Sequence, residues 1–323
     1  MKRREFIAGL GGAVAWPFAT RAQQAMPVVG FLRSESLANV THQVAGFRQG
    51  LKEAGFVEGQ NVTVEYRSAE GQADRLRALV AELARRPVAV IVGNNAAARA
   101  AQAATTTVPI VFASGGDPVR DGLVASLSQP GSNITGVSFL GGTLGAKRLD
   151  LLRQFVPKAS RIAVLMHPNT PEGVRERSDV QAAAESIGQT LKVVEVNSER
   201  DFESVFATLV EHGVDALFSG TGAFMFANRK QVIALAARHA IPTIYSVREN
   251  AVEGGLMSYG ASQADAYRQV GLYAGRILRG EKPGDLPVVQ ATKLEFVINL
   301  KTAKTLGLEF HPQLLGLADE VIE

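Results

Sequence analysis

The sequence predicts an α/β protein of two doubly wound parallel-sheet lobes joined by a multi-crossing hinge, and three observations predict it. Short β-branched runs alternate with helical patterns along most of the 323 residues, as in a parallel sheet covered on both faces. The second half repeats the first in element order and element length. One stretch also occurs in two versions: Val108-Pro109-Ile110-Val111-Phe112-Ala113-Ser114, and Ile241-Pro242-Thr243-Ile244-Tyr245-Ser246. Each is a strand entered through proline and left through serine. Two such halves can turn their strand ends toward one another across a cleft.

The chain opens on a segment apart. Lys2, Arg3 and Arg4 precede an apolar, glycine-rich run to about Phe18, followed by Thr20, Arg21 and Ala22. Residues 1–22 are expected to be a twin-arginine-type signal peptide. The run falls short of the roughly 20 residues that span a bilayer, so no stable membrane insertion is expected. This leader carries four basic residues and one acidic residue, and without it 30 basic residues face 30 acidic ones. The basic isoelectric point therefore belongs to the leader and gives no argument for nucleic acid. With no cysteine in the chain, a disulfide framework and a lipid-anchoring cysteine are both excluded. A periplasmic protein, monomeric and without cofactor, is expected, and Trp16, the single tryptophan, leaves with the leader.

In chain order, Pro27–Leu32 reads as a strand, and Val40, Val44, Phe47 and Leu51 mark one helix face that ends at Gly55. Val62, Val64 and Tyr66 alternate as a strand; Leu76, Leu79, Val80 and Leu83 follow at helical spacing. Val88–Val92 is a buried strand, and Gly93-Asn94-Asn95 forms a loop into an alanine-rich helix. Asp117 is expected to cap a helix opening at Pro118. Asn133–Ser138 is a strand leading to the first crossing between lobes. The pattern restarts with strands at 162–166, 191–196, 214–218 and 241–246, and helices at about 173–187, 201–212 and 228–239. A glycine-bounded strand at 254–260, a helix at 264–278, a strand at 294–298 and a short helix at 302–306 complete it. Lobe I thus takes 27–138 plus about 261–285, and lobe II takes 139–260 plus about 286–323.

Enzyme signatures are mostly absent. Neither Ser258 nor Ser219 sits in a nucleophile elbow, since leucine stands two places before each. His42, His167, His212, His239 and His311 lack the spacings of a zinc site, and there is no phosphate-cradling loop. Carboxylate pairs that meet only in space leave no local spacing, so a secreted α/β hydrolase or isomerase stays open.

Ligands of open α/β sheets sit outside the carboxyl ends of the strands. The first lobe offers Ser34 and Glu35, Asn94 and Asn95, and Ser114 to Asp117 there; the second offers His167, Asn169 and Thr170, then Thr221, then Tyr245, Ser246, Arg248 and Glu249. Asp117 is either a cap or a contact, and Asn94 and Asn95 either turn chemistry or contacts. Tyr245 can stack on a flat ligand or fill core. Arg248, beside Glu249, forms a structural ion pair or a carboxylate clamp.

Several stretches together resemble one family. They are Gly50-Leu51-Lys52-Glu53-Ala54-Gly55-Phe56-Val57-Glu58-Gly59-Gln60-Asn61-Val62, Pro109-Ile110-Val111-Phe112 with Gly116-Asp117-Pro118, and Gly122-Leu123-Val124-Ala125-Ser126-Leu127. Gly254-Gly255-Leu256-Met257-Ser258-Tyr259-Gly260, Ile298-Asn299-Leu300-Lys301-Thr302-Ala303-Lys304 and Ala318-Asp319-Glu320-Val321-Ile322-Glu323 join them. The chain resembles the substrate-binding proteins of ABC transporters related to the tryptophan-binding type. The resemblance implies a type I periplasmic binding fold, three crossings between lobes, a small-molecule ligand held by hinge closure, and an ABC permease and ATPase as partners. A sensor role beside a membrane receptor is the other binding reading. Where many relatives carry Asp-Pro in the second lobe this chain has Gly222-Ala223, and where they often have Arg-Glu-Phe it has Arg248-Glu249-Asn250. Aromatic amino acids, branched amino acids and small carboxylates all remain open.

Overall fold

Valine- and isoleucine-rich runs become buried strands and the amphipathic stretches between them become the covering helices. A computed structural model describes residues 26–139, 144–168 and 170–323; the expected signal peptide, residues 1–22, lies outside the described residues. The first half runs β1 (Val28–Arg33), α1 (Thr41–Glu53), β2 (Thr63–Ser68), α2 (Ala73–Arg85), β3 (Val90–Asn94), α3 (Asn95–Ala104), β4 (Ile110–Ser114) and β5 (Ile134–Ser138). The second runs α4 (Gly145–Phe155), β6 (Ile162–Met166), α5 (Pro171–Ser186), β7 (Leu191–Glu195), α6 (Asp201–Glu211), β8 (Ala216–Ser219), α7 (Ala223–Ala227), α8 (Arg229–Arg238), β9 (Thr243–Tyr245), α9 (Arg248–Val252) and β10 (Met257–Ala261). The chain ends with α10 (Gln263–Leu278), β11 (Val289–Gln290), β12 (Leu294–Asn299), α11 (Leu300–Thr305), α12 (Pro312–Leu315) and β13 (Glu320–Ile322).

The strands form two sheets, β2-β1-β3-β4-β5-β11 and β7-β6-β8-β9-β10-β12-β13. Their first five strands share one order, so the duplication legible in sequence is a duplication of topology. All pairings are parallel except β10 with β12. Each sheet buries apolar side chains on both faces: Phe31, Val92 and Val111 on one side of the first, Leu32, Ile91 and Phe112 on the other. Val164 and Phe218 do so on one side of the second, Leu165 and Leu217 on the opposite side. Removing one such side chain from water stabilises the fold by about 1.5–3 kcal/mol.

The chain passes between the sheets three times, after β5, after β10 and after β11. Backbone bonds tie these passages together: Ala291 N donates to Ser138 O at 2.8 Å, and Ser262 N to Lys293 O at 2.9 Å. After the second passage α10 returns to the first lobe and packs on α1. The approach requires glycine: a Cβ on Gly50 would stand 1.8 Å from the Arg268 carbonyl oxygen, and one on Gly271 2.2 Å from that of Phe47.

Three local expectations are revised. No helix opens at Pro118: Asp117 Oδ1 accepts from Val119 N and Arg120 N in a turn, which closes at Gly122, where φ is +73°. No loop separates β3 from its helix, because Asn94 caps α3 directly, accepting from Ala97 N at 3.2 Å. Residues 286–290, grouped with lobe II on sequence, add β11 to the first sheet by pairing Val289 with Val137. Leu286 and Val288 bury themselves in the cores of that lobe, which holds the segment there. Among the described residues no helix is long and apolar enough to cross a membrane.

Candidate functional site

In both sheets the strand order reverses beside the first strand of the half, between β1 and β3 and between β6 and β8. Loops leaving those strand ends diverge and open a crevice. A cavity of about 430 Å³ fills the crevice and takes walls from both lobes, a volume within the range of small-molecule sites.

The first-lobe wall is built on β1 and β3. Arg33 ends β1 and is 3% exposed. Its Nη2 donates to Glu35, and its guanidinium lies 5.1 Å from the centre of the Tyr267 ring. Its Nε and Nη1 are buried without a partner among the described residues. Glu35 Oε2 accepts from Ser34 Oγ and from Asn94 Nδ2, both at 2.8 Å. Asn95 Nδ2 reaches Ser114 Oγ at 3.0 Å and Asp121 Oδ2 at 3.1 Å. Gln43 of α1 donates to Gln263 of α10 and keeps Oε1 buried without a partner among the described residues. Phe139, Tyr267 and Ala113 supply apolar surface.

Among the described residues the second-lobe wall carries no charged side chain. It consists of Thr170, Thr221, Gly222, Ala223, Phe226 and the Ser246-Val247 pair. Thr170 caps α5, its Oγ accepting from Gly173 N at 3.1 Å. Thr221 is set from behind: its N–H donates to Glu176 Oε2 at 2.6 Å, and the other oxygen of Glu176 accepts from Arg148. The Arg148 and Glu176 side chains are fully buried, and the guanidinium lies 4.8 Å from the centre of the Phe218 ring.

Contacts between the lobes border the cavity. His42 Nε2 of α1 lies 3.0 Å from Glu249 Oε1 of α9. Burial, then the cations of Arg229, Arg33 and Arg248, push the imidazole down to about 4, and burial raises Glu249. His42 is thus neutral near pH 7 and the contact is no full ion pair. Val40, Phe226 and Val247 pack together beside it. On another side Arg175 Nη1 of α5 stands 3.8 Å from Asp121 Oδ1.

Of the residues expected from sequence, Glu35, Asn94, Asn95, Gly115, Thr170, Thr221 and Ser246 line the cavity together. Ser34 and Ser114 stand behind them, holding Asn94 and Asn95. Asp117 serves its turn. The His167 ring lies 4.8 Å from that of Phe224 and does not line the cavity. Tyr245 is 1% exposed and packs among Ile233, Ala236 and Ile241, inside the second lobe. Arg248 spends Nε and Nη2 on the two oxygens of Glu320, each at 2.7 Å, joining α9 to β13. Asn169 lies outside the described residues. Sequence reasoning missed Arg33, Gln43, Phe139, Phe226, Gln263 and Tyr267 among the lining residues. For Arg33 a signal existed, since a charged residue ends a strand that is otherwise apolar. Among the described residues no cluster of three or more His, Cys, Asp or Glu is arranged to hold a metal.

A two-lobed fold with a cavity between its switch points has clear relatives. The chain is 27% identical over 269 residues to the tyrosine-binding protein of Clostridioides difficile strain R20291, covering 82% of this chain and 76% of that one. A conserved domain protein from Vibrio cholerae superposes with a TM-score of 0.84 at 26% identity, over 92% of this chain and 99% of that one. An ABC domain from Streptococcus pneumoniae in complex with L-Trp superposes with a TM-score of 0.83 at 26% identity and the same coverage. Residues 27–322 match the family model described as ABC transporter substrate binding protein, and the chain belongs to that family, with the type I periplasmic binding fold.

Proposed function

We propose that this protein is the extracytoplasmic receptor of an ABC importer, capturing a small organic acid or amino acid between its lobes and presenting the closed form to a permease and its ATPase. The observation that carries this reading is the cavity: a buried guanidinium with two unengaged donors on one side, and an uncharged, aromatic-bearing wall on the other. Arginine is suited to a carboxylate, which its planar fork engages at two points. Phe139, Phe226 and Tyr267 suit an apolar or aromatic body. The relatives named for tyrosine and solved with L-Trp agree with a ligand of that size.

Arg33, Glu35, Asn94, Asn95, Thr170 and Thr221 are the ligand contacts in this reading, while Ser34, Ser114 and Asp117 shape the backbone behind them. The lobes divide at the three passages, and residues 1–22 direct export to the periplasm. Closure requires that ligand favour the closed state, since equal affinity for both forms shifts nothing.

Mass spectrometry of the small molecules released on denaturing the purified protein tests this directly. One organic acid or amino acid at near-stoichiometric yield is expected, and the same compound added back raises the melting temperature by mass action. A protein beginning after residue 22 has no tryptophan, so bound tryptophan is read by its own fluorescence. Conversion of the released compound by the protein would point to an enzyme instead.

A further inference from the structure

We infer that the site takes a net-anionic carboxylic acid with an uncharged, hydroxyl-bearing body, in preference to the zwitterionic amino acid of the same shape. This deepens the receptor reading above and rests on it. The inference comes from the charges and hydrogen-bonding groups on the two walls.

Among the described residues Glu35 is the one acidic residue that lines the cavity. It is already committed: Arg33 faces it at one oxygen, and Ser34 and Asn94 donate to the other. The second-lobe wall contributes two threonines, a serine, a glycine and apolar groups, with no carboxylate among the described residues. An ammonium group entering the cavity therefore finds, among the described residues, only a carboxylate that three donors already engage. Cations are in excess on the first-lobe wall, since Arg99 lines the cavity as well as Arg33. A carboxylate that accepts from Arg33 Nε and Nη1 satisfies two buried donors and balances that excess. A zwitterion brings no net charge, so the excess stays, and its ammonium gives up water for neutral acceptors alone. Burying a charge without a partner is costly.

The remaining polar feature fixes the rest of the ligand. Gln43 Oε1 lines the cavity as a buried acceptor without a partner among the described residues. A neutral amide oxygen suits a neutral donor such as a hydroxyl. A 2-hydroxy acid with an aromatic or branched side chain provides the carboxylate, the hydroxyl and the apolar body at once.

The test is isothermal titration of the unmodified protein, stripped of bound ligand, with three compounds of one skeleton: L-phenyllactate, hydrocinnamate and L-phenylalanine. They differ at one carbon, which carries hydroxyl, hydrogen or ammonium. The expected order has L-phenyllactate tightest and L-phenylalanine at least tenfold weaker than it. In the Arg33→Lys protein the carboxylates lose at least tenfold while the neutral amide hydrocinnamamide loses no more than about threefold, a split that a folding defect would not produce. If L-phenylalanine binds as tightly as L-phenyllactate or more tightly, the inference is overturned and the receptor reading stands. If none of the three binds, the inference is overturned too. The identity of the compound released on denaturation then decides the receptor reading by itself.

Discussion

Each lobe holds a buried arginine–glutamate pair, and the two pairs have opposite uses. Arg33–Glu35 sits at the cavity with two guanidinium donors unengaged. Arg148–Glu176 is sealed away from solvent, and its carboxylate spends the remaining oxygen on the Thr221 N–H. In the proposed reading the same chemistry receives a guest in the first case; in the second it braces a cavity wall. What separates them is whether the ion pair's spare hydrogen-bonding capacity points at the crevice or at backbone. Buried pairs contribute little net stability when intact, but removing one partner strands a charge.

The largest effect follows from that difference. Glu176→Gln keeps an acceptor for Thr221 but leaves Arg148 as a buried cation without its counter-charge, a loss of about 3–5 kcal/mol. Denaturant unfolding measures it. Glu35→Gln is expected to lose less than half as much, because Arg33 borders a cavity that admits water or ligand. Its main effect falls on ligand affinity. Equal stability losses for the two variants would break the comparison.

The two walls also differ in how readable they were from sequence. The fold was legible because its signals are local and repeated: β-branched runs, helical spacing and proline-led strands recur in the same order twice. Glu35, Asn94, Asn95, Thr170 and Thr221 were legible because strand ends at switch points follow from topology. Tyr245 and Arg248 were not, because facing is a tertiary property: β9 turns Tyr245 toward α8, and Glu320, 72 positions along the chain from Arg248, claims its fork. The site residues on α1 and α10, Gln43, Gln263 and Tyr267, were hidden for a related reason. The return of α10 to the first lobe was expected, but which of its side chains face the crevice depends on how it packs on α1, where Gln43 meets Gln263.

The contacts joining the two walls sharpen the comparison further, and His42 has the larger expected effect. Its folded value of about 4 lies below the ordinary 6.5 of an unfolded histidine. Between those values the unfolded chain binds the proton and the folded one does not. Stability is therefore lost as pH falls through 6.5, by about 1 kcal/mol at pH 5.5, and the loss is complete below the folded value. Glu249 opposes this, since its raised value makes the folded state take up a proton first. Melting temperatures from pH 7 to pH 5 are expected to fall less steeply in His42→Gln than in the unaltered protein. Identical slopes would show that the imidazole is not held neutral between the lobes.

The smallest effect belongs to the other contact between the walls, where Arg175 Nη1 stands 3.8 Å from Asp121 Oδ1. At that separation the pair lacks a hydrogen bond, which keeps its attraction weak. Asp121 also accepts from Asn95, which lines the cavity, so the bridge couples a cavity-lining residue of the first lobe to the second-lobe helix α5. Asp121→Asn keeps an acceptor for Asn95 while removing the charge, and thereby isolates the bridge. The closed form loses this attraction and the open form, with the lobes apart, does not. Ligand affinity should therefore weaken by a few-fold at most, with stability nearly unchanged, and Arg175→Gln should match it. The double variant should lose no more than either single one, because both remove the same contact. Losses that add in the double variant would mean that Asp121 and Arg175 act on the cavity separately, with no bridge between the lobes.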